Sequence, residues 1–186
     1  MPRYLALLRG INVGGRNKVA MADLRDLAGA LGHADVSTYI QSGNLLFSST
    51  RTDAAMLADE LEREIASTLA VQPAVIVISA AELAQVIAAN PYPEETNPKM
   101  LHAVFRREKM SPEGAAAVDR AVRQARDAGT ADDATIVGHT LFLRTPGGFG
   151  RSDLAAQLTR SAAQPGGTAR NWATVTTLMR MLEDAG

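Results

Sequence analysis

Apolar positions along this chain switch repeatedly between a strand rhythm and a helix rhythm, and the switches mark out its elements. Tyr4–Leu8 is an uninterrupted apolar run of strand length. Met21, Leu24, Leu27, Ala28 and Leu31 then recur at helical spacing, and Gly32 supplies a stop. Val36–Ile40 and Leu45–Phe47 are strand-like and joined through Gln41-Ser42-Gly43-Asn44, a hairpin signal because glycine admits the positive φ of a tight turn. Leu57, Leu61, Ile65 and Leu69 predict a helix from about Asp53, and Val75–Ile78 a fourth strand. Ser79 with Glu82 forms a capping box for a further helix that ends near Asn90. The order β-α-β-β-α-β predicts a ferredoxin-like αβ-plait, an antiparallel four-stranded sheet with helices on one face.

The segment Asn90-Pro91-Tyr92-Pro93-Glu94-Glu95-Thr96-Asn97-Pro98 forbids both helix interior and central strand, and it predicts a boundary between residues 1–97 and 98–186. Beyond it the order repeats. Leu101–Phe105 is a strand, Ser111-Pro112 opens a helix to about Asp127, and Thr135–Val137 with Thr140–Leu143 make a hairpin around Gly138-His139. Ser152 caps a short helix through Leu158, and an extended piece near Thr168 leads into a last helix over Asn171–Leu182. The predicted class is α+β: two tandem ferredoxin-like units, each with an extra C-terminal helix. The halves share order without sequence identity, so duplication stands as a hypothesis.

Charge changes this picture only locally. The net charge of −1 gives no global pull toward nucleic acid or anionic membrane. Yet every charged side chain between Met1 and Ala22 is basic (Arg3, Arg9, Arg16, Lys18). The absence of cysteine excludes disulfides, thiolate nucleophiles and Cys-based zinc sites. No stretch approaches the roughly 20 apolar residues of a membrane span, and the expected location is cytoplasmic.

Four polar segments, the first three glycine-bearing, are the candidate chemistry: Arg9–Lys18, Gln41–Asn44, Gly147–Ser152 and Thr168–Trp172. Gly10-x-x-x-Gly14-Gly15 is neither a dinucleotide fingerprint nor a Walker A pattern, and Gly150-Arg151-Ser152 stands where Walker A has Gly-Lys-Ser/Thr. Both still let backbone N–H groups approach an anion. The first loop offers Arg9, Asn12, Asn17 and Lys18, and the hairpin offers Gln41 and Ser42. Turn chemistry is the expectation for Asn44. The end of the first strand and the start of the third are expected at opposite ends of their antiparallel pair, so loop and hairpin need not form one site. Arg151, Ser152, Arg170 and Asn171 are candidates for further walls; Asn171 also suits an N-cap and Trp172 a core plug. His33, His102 and His139 lack metal-ligand spacing, and His33 and His139 are expected to face solvent. Strands one and three offer only Tyr4 and Phe47 to a stacking platform, which disfavours RNA readout by the sheet. Leu5, Leu7 and Leu45 predict instead an apolar sheet face that packs on the other half.

Leu7-Leu8-Arg9-Gly10-Ile11-Asn12-Val13-Gly14-Gly15, Asn17-Lys18, Thr38–Asn44, Gly150-Arg151-Ser152 and Arg170-Asn171-Trp172-Ala173-Thr174-Val175 together resemble the bacterial family known as domain of unknown function 1697. The resemblance spans essentially the whole chain and implies two αβ-plait units. It implies no reaction, cofactor or catalytic residue.

The leading functional expectation is a binding protein, with catalysis left open, for a phosphorylated small molecule or nucleotide. Arg9 and Arg170 would clamp anionic oxygens, because a guanidinium fork matches them bidentately. No general base, cofactor or metal is read. The alternatives are a protein-interaction module and a protein that binds nucleic-acid backbone; no membrane partner is expected.

Overall fold

The structure, a computed structural model, describes residues 1–160 and 167–184 of the 186-residue chain. They run β1 (Arg3–Arg9), α1 (Met21–Ala30), β2 (Ala34–Tyr39), β3 (Asn44–Ser48), α2 (Ala54–Leu69), β4 (Ala74–Ser79), α3 (Ala80–Ala88), β5 (Leu101–Phe105), α4 (Pro112–Asp127), β6 (Asp133–Val137), β7 (Thr140–Arg144), α5 (Asp153–Arg160), β8 (Thr168–Asn171) and α6 (Trp172–Asp184), with a 3-10 turn over Phe149–Arg151 before α5. Two antiparallel sheets result, in the orders β2-β3-β1-β4 and β6-β7-β5-β8. The second order is the first with every label raised by four, so the chain is an α+β fold of two tandem ferredoxin-like units. Compact packing divides it into Met1–Gln85 with Leu178–Gly186, and Val86–Thr177.

In the first unit the amphipathic faces of α1 (Leu24, Leu27, Ala28) and α2 (Leu57, Ala58, Leu61, Ile65) bury one side of the sheet. That side carries Tyr4, Ala6, Leu8, Leu45, Phe47, Val75 and Val77. Alternation along a strand sends Leu5, Leu7 and Leu46 to the opposite face, where they are also fully buried. One sequence expectation needs correcting here. Leu45 belongs to the helix-covered face, not to the second one. Tyr4 and Phe47 lie on that covered face too, stacked on each other with ring centroids 5.8 Å apart. They are core residues, so neither could serve an exposed platform.

The helix starts follow local chemistry. Asp53 accepts from the N–H of Ala55 and Met56, and Ser111 accepts from Gly114 with Pro112 at the first helical position. Ser79 and Glu82 close the predicted capping box, with Ser79 N–H donating to Glu82 at 2.7 Å and Glu82 N–H to Ser79 at 3.2 Å. In the second unit, Val118, Ala121, Leu154 and Leu158 pack with Val104, Leu141 and Leu143. Tyr92, from the proline-rich segment, packs with Leu101 and Phe142, with Val86 and Trp172 alongside. Among the described residues no helix is long and apolar enough to cross a membrane.

Candidate functional site

The antiparallel register decides where the first two polar segments sit. Leu7 lies opposite Asn44, and the N–H of Leu8 donates to the carbonyl of Gly43 at 2.8 Å. The end of β1 and the start of β3 are therefore side by side, as an antiparallel pair requires, and the expectation that they lie at opposite ends is wrong. The Gly10–Lys18 loop and the Ile40–Gly43 turn meet at one end of the first sheet.

Two asparagines hold this meeting point together. Asn12 donates through Nδ2 to the carbonyls of Val19 and Gln41, both at 2.9 Å, and its Oδ1 accepts from the N–H of Val19 at 2.9 Å. Asn17 donates to the carbonyl of Gly10 at 2.9 Å, while the N–H of Asn12 donates to the carbonyl of Asn17 at 3.0 Å. Between them Val13 and Arg16 form an antiparallel bridge closed by Gly14 and Gly15. Both glycines have positive φ, 58° and 76°, the conformation a two-residue hairpin turn needs. Asn12 and Asn17 are themselves left-handed, at 53° and 49°, where asparagine is tolerated best after glycine. Both amide protons of Asn12 are spent on this brace.

The hairpin turn is equally constrained. Gly43 has φ of 75°, and a Cβ there would come within 2.8 Å of Leu8 Cβ and 2.9 Å of Ile11 Cδ1. Asn44, fully buried, donates to the carbonyl of Tyr39 and to Ser42 Oγ, both at 3.0 Å, which is the turn chemistry expected of it. Ile40 has φ of 50°, an outlier for a β-branched side chain, and is 51% exposed. Val13 is 67% exposed. Neither feature has a signature in the hydrophobic pattern.

What the brace leaves over is cationic. Arg9 is half-buried and Arg16 and Lys18 are exposed; among the described residues none of the three side chains has a hydrogen bond or ion pair. The N–H groups of Gly14 and Gly15 likewise have no acceptor among those residues. Gln41 is exposed; its backbone carbonyl accepts from Asn12, and its side-chain amide has no partner there.

The second-unit candidates have structural employment, with one exception. Ser152 is buried and its Oγ accepts from the N–H of Ala155 at 2.9 Å, capping α5. Asn171 Oδ1 accepts from the N–H of Thr174 at 2.8 Å, capping α6. Trp172 packs toward Phe142, with centroids 6.0 Å apart. Arg170 is only 8% exposed and donates to Thr168 Oγ1 at 2.7 Å and to the carbonyl of Ala169 at 2.9 Å. Burial pulls its pKa down to about 10. Arg151 alone is exposed without a side-chain partner among the described residues.

The histidines divide. His139 is exposed, as expected, with Nδ1 3.0 Å from the carbonyl of Arg107. His33 does not face solvent: it is 6% exposed, its ring packs on Phe47 at 4.4 Å, and its Nε2 lies 3.8 Å from Glu60 Oε2. Burial lowers its pKa, against the pull of Glu60, whose other oxygen is held by Arg51. The signal that escapes the sequence is Glu60, which α2 brings to within 3.8 Å of His33, just beyond the C-terminal end of α1. His102 stacks under Phe149 at 4.0 Å, and burial pulls its pKa down to about 4. Among the described residues no cluster of three or more His, Asp or Glu side chains could hold a metal ion.

Comparison with known proteins adds kinship without chemistry. A family model described as "Protein of unknown function (DUF1697)" matches residues 1–136. A solved structure of a conserved bacterial protein from Streptococcus pneumoniae is similar in fold, with a TM-score of 0.78 and 24% identity, over 97% of this chain and 98% of that one. No curated protein matches.

Proposed function

The chain belongs to this DUF1697 family, from which no activity can be inherited, and we propose from the site itself that the Arg9–Lys18 loop of the first unit binds the anionic oxygens of a phosphorylated small molecule or nucleotide. The observation that carries the proposal is a division of labour inside one loop. Asn12 and Asn17 fix the backbone, and Arg9, Arg16 and Lys18 are left without protein partners. A cationic loop that is rigid before the ligand arrives loses little entropy on binding, which is where affinity for a small ligand is gained. Arg9 and Arg16 supply forked donors, Lys18 a point charge, and Gly14 and Gly15 two backbone N–H groups that no Cβ shields.

The site as proposed lies wholly within the first unit. Arg170 is occupied by Thr168 and Ala169, and Ser152 and Asn171 by helix caps, so these three add nothing to it. Any catalysis by such residues would work through electrostatic stabilisation of developing charge, because the loop holds no group suited to general base work.

Thermal unfolding against a panel of phosphate, sugar phosphates and nucleotides tests the proposal. A ligand at about 100 times its Kd adds about 2.7 kcal/mol of stability. That raises the midpoint of a chain this size by about 2–4 °C per kcal/mol. The shift should vanish in an Arg9→Ala/Lys18→Ala double variant that melts normally without ligand. A panel with no shift, or a shift that survives both substitutions, refutes the assignment.

A further inference from the structure

Anion binding accounts for the cations of the first loop, but it leaves the strain and the exposed apolar groups beside them unexplained. Seven of the thirteen described residues with left-handed backbone fall in residues 10–17 and 40–43. Six of the seven are glycine or asparagine, which enter that region cheaply. Ile40 is the exception. Its β-branched side chain stands at φ of 50°, a conformation that costs such a residue conformational energy. It also leaves half its surface in water. A residue that serves only the turn would be glycine or asparagine here.

The exposed aliphatic side chains of Ile40 and Val13 flank one joint. Val13 follows Asn12, Ile40 precedes Gln41, and Asn12 and Gln41 are hydrogen-bonded across the gap at 2.9 Å. Of the four large hydrophobic residues exposed among the described residues, two lie at this joint; Met1 and Met56 are the others. Gln41 also places a side-chain amide, donor and acceptor together, immediately after Ile40.

From this juxtaposition we infer that the ligand of the loop is a free nucleotide, with Ile40 and Val13 covering the face of its base, Gln41 meeting the base edge, and Arg9, Arg16 and Lys18 holding its phosphate. The inference rests on the anion-binding proposal for the same loop. Phosphate alone has no use for an exposed isoleucine, and a sugar ring offers it a smaller apolar face, interrupted by hydroxyls. A planar heterocycle offers both a face that aliphatic groups can desolvate and an edge that a glutamine amide can pair with, as glutamine does with adenine. The strained backbone projects Ile40 into solvent where such a ring could meet it.

The test is a calorimetric titration of the full chain with two probes of equal phosphate charge, adenosine monophosphate and ribose 5-phosphate. Adenosine monophosphate should bind about tenfold or more tightly, a difference of about 1.4 kcal/mol. Ile40→Asn should remove that preference, bring adenosine monophosphate down to the ribose 5-phosphate affinity and leave ribose 5-phosphate unchanged. The same variant should melt no lower than the parent, because asparagine accepts the left-handed backbone, so a loss of preference cannot come from misfolding. Gln41→Ala should weaken adenosine monophosphate alone. Equal affinity of the parent for both probes overturns the inference and leaves the anion-binding proposal standing. Absence of binding by either probe overturns both. A short oligoadenylate that binds much more tightly than the mononucleotide, with a steep dependence on salt, also overturns it, in favour of a polymer ligand.

Discussion

Replacing Asn12 tests whether the first loop is a built device or an ordinary turn. Its side chain makes three hydrogen bonds of 2.9 Å, two donated to carbonyls of Val19 and Gln41 and one accepted from Val19. Each such bond contributes about 0.5–1.5 kcal/mol net, and partial access of water to the site places these near the lower end. Asn12→Gly keeps the φ of 53° at ease and removes all three, so it should cost about 2 kcal/mol. Asn12→Ala loses the same bonds and must also hold a Cβ at positive φ, which adds about 1 kcal/mol. Asn12→Asp is the sharpest member of the series. It retains the acceptor for Val19 N–H but turns a carboxylate oxygen toward two carbonyl oxygens, so it should be worse than glycine despite keeping one bond. Thermal and urea unfolding read the order: parent, then Gly, with Ala and Asp below it. For a chain of this length the Gly variant should melt about 4–8 °C below the parent. An Asn12→Gly variant that melts with the parent would refute the brace, and with it the preorganisation on which the binding proposal relies.

Other consequences can be checked separately. Gly43→Ala faces both a φ of 75° and a Cβ 2.8 Å from that of Leu8, and should destabilise by at least about 2 kcal/mol in urea unfolding. Ser152→Ala and Asn171→Ala each remove a helix cap and should cost about 1 kcal/mol while leaving ligand titrations unchanged. His102 is held neutral by burial under Phe149, with its pKa lowered from 6.5 to about 4. Since the unfolded chain then binds a proton more readily than the folded one, stability is full above pH 6.5 and declines as pH falls toward 4. His102→Gln should flatten that decline in unfolding midpoints measured from pH 7 to 4.5, and an unchanged slope would contradict it.

Much of the fold was legible because its elements carry strong local signals. Every predicted strand and helix of the described residues is present, since the apolar stripes of α1 and α2 and the caps at Asp53, Ser79 and Ser111 are local properties of the chain. The face assignment in β3 was not legible: Leu45–Phe47 are all apolar and buried, so alternation has no polar partner from which to tell the helix-covered side. His33 was misjudged for a related reason, since its burial depends on Phe47 and Glu60, brought in from β3 and α2. At the site, residue type indicated a polar, glycine-shaped loop. It could not separate Asn12 and Asn17, which build the loop, from Arg9, Arg16 and Lys18, which the loop presents. That distinction depends on which amide meets which carbonyl. The strain at Ile40 was invisible for the same reason, because a β-branched residue at a strand end reads as strand.

Backbone amide chemical shifts recorded while adenosine monophosphate is titrated into isotopically labelled protein test the central claim most directly. Perturbations that saturate and concentrate at residues 9–18 and 40–44, with Gly14 and Gly15 among the largest, are the predicted result. Saturating shifts centred elsewhere, or none at any accessible concentration, would contradict it.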